Sequence, residues 1–166
     1  MRTQDKLKEC FKEGEKRERH KGLRKIEPSP EKTEAYVKKA IHNFNAIDTF
    51  KKAGYSDWSA SASFYSLYHL LLALISKKGF ESRNQTCTFA LVESLIDLKE
   101  ISLTKEELKE IFDKDITDNL EHSSKILDIR ENMQYSMKTE LNEQEFLSLR
   151  ERTKVLFDKL RREVEK

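Results

Sequence analysis

The sequence predicts an all-α fold, an antiparallel bundle of about five main helices with a short helix ahead of it. Three observations carry that prediction. Both prolines fall at Pro28 and Pro30, and only Gly54 and Gly79 interrupt the chain afterwards, so long helices can run with few stops. No segment alternates with a strand's period of two, and no βαβ pattern or glycine-rich phosphate loop occurs. The stretch from Trp58 to Ile75 is apolar on two sides at helical spacing: Phe64, Leu67, Leu71 and Leu74 form one stripe, and Tyr65, Tyr68, Leu72 and Ile75 a second. Such a helix must be enclosed by other helices or by a second subunit, since either stripe left in water forfeits its transfer free energy.

The elements follow in order. Residues 3–13 predict a short amphipathic helix with Leu7, Cys10 and Phe11 on one face, followed by a polar stretch from Gly14 to Gly22. Ser29 caps the next helix, with Pro30 in its first turn. That helix carries Val37, Ala40, Ile41, Phe44 and Ile47 on one side, and runs to about Ala53 before Gly54. The central helix spans about Asp57–Lys78 and ends at Gly79. Another covers about Asn84–Lys99 and buries Phe89, Val92, Leu95 and Ile96. Thr104 with Glu107 reads as a capping box opening a helix through Leu108, Ile111 and Phe112 towards Leu127 and beyond. Asn142 with Glu145 repeats the signal before the last helix, whose Phe146, Leu149, Leu156 and Leu160 face inward.

At 166 residues and 19.6 kDa the chain suits one domain with a real core. Charged residues make up 37%, yet the formal net charge is only +2, so no overall field commits the protein to nucleic acid or to an anionic membrane. Residues 1–30 hold ten Lys/Arg against six Asp/Glu, a local +4, leaving −2 for the rest. The division is thus a short helix and basic connector over 1–29 and the bundle over 30–166. The longest unbroken apolar run, Leu70–Ile75, falls short of the roughly 20 residues of a membrane span. The first residues are charged, with no apolar signal core. A cytoplasmic protein without membrane contact is expected. Cys10 and Cys87 stand alone, outside any zinc-ligand spacing, and are expected to be reduced thiols in packed positions; no metal and no cofactor is implied.

Ser63-Phe64-Tyr65-Ser66-Leu67-Tyr68-His69 resembles the Ala-Tyr-Tyr-Ala-Met-Phe-His segment of HEPN-domain proteins (higher eukaryote and prokaryote nucleotide-binding), and Lys78-Gly79-Phe80 follows at the expected place. Downstream, Arg130-Glu131-Asn132-Met133-Gln134-Tyr135 resembles the Arg-Glu-x-Ala-Asp-Tyr of a small prokaryotic subgroup. Cys10, with Leu23-Arg24-Lys25-Ile26 before Pro28, is similar to that subgroup's N-terminal extension. The resemblance implies a bundle that pairs through its central helices as a homodimer, often encoded beside a minimal nucleotidyltransferase in toxin–antitoxin or defence-type two-gene systems. Many relatives are metal-independent endoribonuclease toxins whose signature is an Arg followed, after four to six residues, by His. Here Tyr135 follows Arg130 after four residues, and no His occurs beyond His122.

RNA cleavage of that kind needs a base for the 2′-hydroxyl, an acid for the leaving oxygen and positive charge for the phosphorane. Arg130 can supply charge, whereas Tyr135, with a reference pKa of about 10, is a poor base at neutral pH. On a regular helix their five-residue separation sets them roughly 140° apart. The competing structural reading pairs Arg130 with Asp128 or Glu131 and packs Tyr135 at a helix end. His69 reads either as a hydrogen-bonded core residue or as a group facing a dimer groove beside Arg130. Trp58, Phe64, Tyr65 and Tyr68 fit core or interface packing better than base stacking. The cluster Lys16, Arg17, Arg19, His20, Lys21, Arg24 and Lys25 reads as a solvated connector, with phosphate binding as its alternative. Arg83, beside free N–H groups at the mouth of the next helix, is a candidate anion holder, with Ser82 or Asn84 as the ordinary cap. Binding of RNA or nucleotide therefore rests on Arg130, Tyr135 and Arg83. The function expected is a binding component, with the endoribonuclease and a protein-assembly adaptor as alternatives.

Overall fold

A computed structural model of the chain describes residues 2–112 and 126–166. Seven helices and one short sheet are seen among them. They run α1 (Thr3–Glu15), β1 (Leu23–Lys25), α2 (Pro30–Lys52), α3 (Ser56–Lys77), β2 (Phe80–Ser82), α4 (Gln85–Asp97), α5 (Lys105–Ile111), α6 (Ile126–Tyr135) and α7 (Glu143–Glu165). The architecture is an all-α bundle, and its local signals act as the sequence implies. Ser29 accepts a hydrogen bond from the Lys32 N–H with Pro30 behind it, and both capping boxes, Thr104 with Glu107 and Asn142 with Glu145, close in both directions. Gly54 and Gly79 follow α2 and α3 at φ +85° and +89°, the left-handed region that only glycine enters at no steric cost.

α3 is the axis. Both of its stripes are covered by the chain itself, with α2 alongside, α7 and α6 across it and β2, α4 and α5 at its end. Phe64, Leu67 and Leu71 are fully buried; on the second stripe Tyr68, Leu72 and Ile75 are buried as well, while Tyr65 remains 39% exposed. Enclosure of the apolar helix thus needs no second subunit. α3 is long and apolar enough to cross a membrane by length and composition, but 83% of its most apolar window is buried, as befits a core helix. Short polar bonds lock its neighbours: Ser59 Oγ donates to the Ile47 carbonyl, and Ser56 Oγ accepts from the Leu141 N–H.

Three expectations are corrected. The helix opened by the first capping box ends at Ile111, because Phe112 turns to φ −150°, ψ 130°; its ring stacks on Phe89 at 4.3 Å between centroids. The continuation towards Leu127 lies outside the described residues as far as 125, and α6 begins at Ile126. Two strands exist where none was expected. β1 pairs antiparallel with β2, Leu23 opposite Ser82 and Lys25 opposite Phe80, and three residues each are too few to show a period. Cys10 and Cys87 are joined in a disulfide, with Cα atoms 5.7 Å apart. The pairing joins α1 to α4 across 77 residues of sequence, so nothing in the spacing announces it.

The basic connector is accordingly folded back rather than free. Arg24 donates to the carbonyls of Gly14, Arg17 and Glu18, and Leu23 and His20 are buried. α1 lies against β1 so closely that a Cβ at Gly14 would meet the Leu23 carbonyl oxygen at 1.8 Å, and one at Gly22 the Cys10 oxygen at 2.2 Å. These two glycines allow backbone to pack directly on backbone.

Candidate functional site

Arg130 lies on α6 with its side chain only 15% exposed. Its guanidinium carbon sits 3.7 Å from the centre of the Phe64 ring, and its Nη1 is 3.9 Å from a Glu131 carboxylate oxygen. A cation over the face of a fully buried ring is held by the ring's quadrupole in a desolvated setting. The same ring is one wall of an aromatic cluster, stacked with Tyr68 at 5.8 Å and tilted against Phe89 at 6.4 Å. Arg130 is therefore a packing group that joins α6 to α3, with the Glu131 carboxylate beside it; the side chain of Asp128 lies outside the described residues. Tyr135 ends α6 and is 76% exposed.

His69 occupies the other side of α3. Its Nδ1 lies 2.7 Å from the Tyr65 carbonyl, which can only accept, so the ring proton is placed on Nδ1; the Asn43 amide is 3.3 Å from the same nitrogen. Burial lowers its pKa, the Tyr65 carbonyl opposes that shift, and the charge of Lys39 adds to the lowering. Tyr36 and Tyr65 flank the ring at 6.4 and 6.2 Å. Trp58, Tyr65 and His69 recur at helical spacing, and Trp58 is 56% exposed. A half-exposed aromatic ridge thus follows the α2–α3 seam. Among the described residues, no hydrogen bond, ion pair or ring contact joins Arg130 to His69 or Tyr135. Phe64, which holds Arg130, is five residues from His69, roughly 140° around the helix.

Arg83 stands at the β2–α4 turn, 3.7 Å from Glu81, and Asn84 is the cap of α4, accepting from the Cys87 N–H. Glu81 is the hub of this corner. Lys32 Nζ and His20 Nε2 reach its two oxygens at 2.7 and 2.9 Å, while His20 Nδ1 accepts from the Gly22 N–H. Burial pushes the Glu81 carboxyl up, but the hydrogen bonds from Lys32 and His20, with the charges of Lys32 and Arg83, outweigh it and hold the group at about 2. A depressed carboxylate contributes stability above its unfolded value, near 4.5, that is lost as pH falls towards 2. Glu81→Gln should therefore destabilise the protein by about 1–3 kcal/mol at neutral pH and flatten the loss of stability below pH 4.5. Urea titrations at stepped pH check both; an unchanged acid slope would contradict the assignment.

The family model of the HEPN domain matches residues 33–163. The chain belongs to the HEPN family. Compared with curated proteins, it gives no match. Within the HEPN match fall Arg130, Tyr135, His69 and Arg83; before it lie α1, β1, Cys10 and His20. The HEPN core thus carries an N-terminal clasp fixed at three points: the disulfide, the β1–β2 pairing and the bond from His20 to Glu81.

The sequence shows His20 only as a member of the basic connector and gives no signal for Glu81. An isolated acid two residues after Gly79 carries no spacing signal, and its partners Lys32 and His20 are 49 and 61 positions away. Phe64 as the seat of Arg130, and Asn43 and Tyr36 beside His69, were equally hidden. His122 lies outside the described residues.

Proposed function

We propose that this HEPN protein is the binding component of a toxin–antitoxin or defence-type two-gene system. Its partner is a minimal nucleotidyltransferase, its ligand is RNA or nucleotide phosphate, and it lacks robust cleavage. The observation that carries the reading is the environment of Arg130: the guanidinium is stacked on Phe64 and no imidazole follows it in the sequence. A guanidinium packed on a ring beside a carboxylate, with no imidazole following it, does not shuttle the protons that cleavage requires. Tyr135 and Arg83 are the exposed groups assigned to the ligand, one aromatic and one cationic.

A homodimer is part of the reading. Trp58 and Tyr65, aromatic and exposed on α3, give a second copy something to cover, with His69 and Tyr36 beside them. The proposal places the protein in the cytoplasm of a prokaryotic cell, where a persistent disulfide is unusual.

Purified protein incubated with single-stranded RNA in a chelator tests the central part. The expected result is a bound, intact RNA whose complex weakens steeply with added salt. Specific cleavage in the chelator, lost in Arg130→Lys with the fold retained, would establish the ribonuclease instead. Light scattering that finds only monomer at micromolar concentration would remove the dimer, and a pull-down from the native host that recovers no nucleotidyltransferase would remove that partner.

A further inference from the structure

The disulfide joins α4, which is buried in the core, to α1, whose own side-chain burial is slight. α1 buries only Cys10 and Gly14 outright, and Arg2, which precedes it at the N-cap, makes no side-chain cap. Thr3 donates to Glu93, Phe11 meets Phe80 at 6.1 Å, and Leu7 is partly covered. A polar helix of 13 residues is marginal on its own in water, so its docking rests on the covalent tie together with its contact along β1 through Gly14 and Arg24. Beside the tie opens a cleft lined by both cysteines and Asn84, with Lys6, Lys12, Lys16 and Lys21 against Glu9 and Glu13. The net charge of that lining is positive, which favours the approach of an anionic thiolate and the departure of another.

We propose that Cys10–Cys87 is a reversible redox latch that holds α1 on α4, with the lysine-lined cleft as the entry for a dithiol reductant. This inference stands on the clasp geometry and is independent of the ligand reading above. Cys87 is the third residue of α4, its N–H capped by Asn84, where the helix N-terminus stabilises a thiolate. Cys10 lies late in α1, without that support. The incoming thiolate therefore attacks Cys10 Sγ, breaking the S–S bond and forming a mixed disulfide, and Cys87 leaves as thiolate. The reductant's second thiol then attacks its own sulfur in the mixed disulfide and frees Cys10. Two electrons and two protons pass from the dithiol, which ends as its own disulfide, leaving two cysteine thiols. Reduction frees α1, exposing Phe80 and the first turn of α4, while β1 stays paired to β2 and His20 to Glu81.

Hydrogen exchange on the full chain, oxidised and after millimolar dithiothreitol without denaturant, tests the latch. The expected result is two free thiols, exchange over residues 3–15 faster by roughly tenfold or more, and unchanged protection in α2, α3 and α7. Cys10→Ser should match the reduced wild type. Glutathione trapped in place of the dithiol should sit on Cys10. A bond that yields only when the whole protein unfolds, a reduced chain that unfolds entirely, or a reduced chain that keeps α1 protected would overturn the latch. Glutathione found on Cys87 would overturn the direction of attack and with it the role given to the cleft.

Discussion

Phe64→Ala should lower the free energy of unfolding by about 3–5 kcal/mol, the range for truncating a large aromatic in a core that relaxes only in part. Phe64 is fully buried, and the loss is compounded because it is the surface on which Arg130 rests. Removing the ring leaves a guanidinium beside a cavity, facing Tyr68 and Phe89 across the gap. Urea unfolding followed by circular dichroism checks the size of the loss. A value under about 2 kcal/mol would mean that the cluster around Phe64 collapses onto itself, more completely than close packing in cores generally allows. Phe64→Leu should fall between the two proteins.

The second large effect concerns the disulfide. Cys10→Ser with Cys87→Ser opens a loop of 77 residues, and in the chain-entropy description this gives back about 4–5 kcal/mol of denatured-state freedom. The double variant should fold, since the HEPN core over 33–163 keeps every helix from α2 to α7, but its urea midpoint should fall well below that of the oxidised protein. Oxidised and reduced wild type should differ by the same amount. Equal midpoints would show that the unfolded chain gains nothing when the bond is cut, against the loop-closure argument.

What was legible in the sequence was local. Ser29, Thr104 and Asn142 announce helix starts because each cap acts within three residues, and Gly54 and Gly79 mark stops because their backbone sign is their own. The core faces of α2, α4 and α7 follow from periodicity, and the resemblance carried by residues 63–69 with Arg130 and Tyr135 led to the family. What stayed hidden was made by the N-terminal segment meeting the middle of the chain. Cys10 and Cys87, His20 and Glu81, and Leu23 and Ser82 are partners 59 to 77 positions apart, and each looks ordinary alone. The end of α5 at Ile111 has no glycine or proline to mark it; stacking of Phe112 on Phe89 is a tertiary effect that overrides a continuous helical pattern. Among the candidate site residues, their positions were legible but their surroundings were not. Arg130 reads from sequence as a phosphate holder or the partner of a neighbouring acid, and rests on an aromatic ring in the fold.

That placement of Arg130 is the centre of the account, and a double-mutant cycle reads it directly. Unfolding free energies of wild type, Arg130→Met, Phe64→Leu and the pair should give a coupling of about 1–2 kcal/mol, the worth of a desolvated cation on a ring. A coupling indistinguishable from zero would contradict it, returning Arg130 to the pool of cations free to serve a bound phosphate or a reaction.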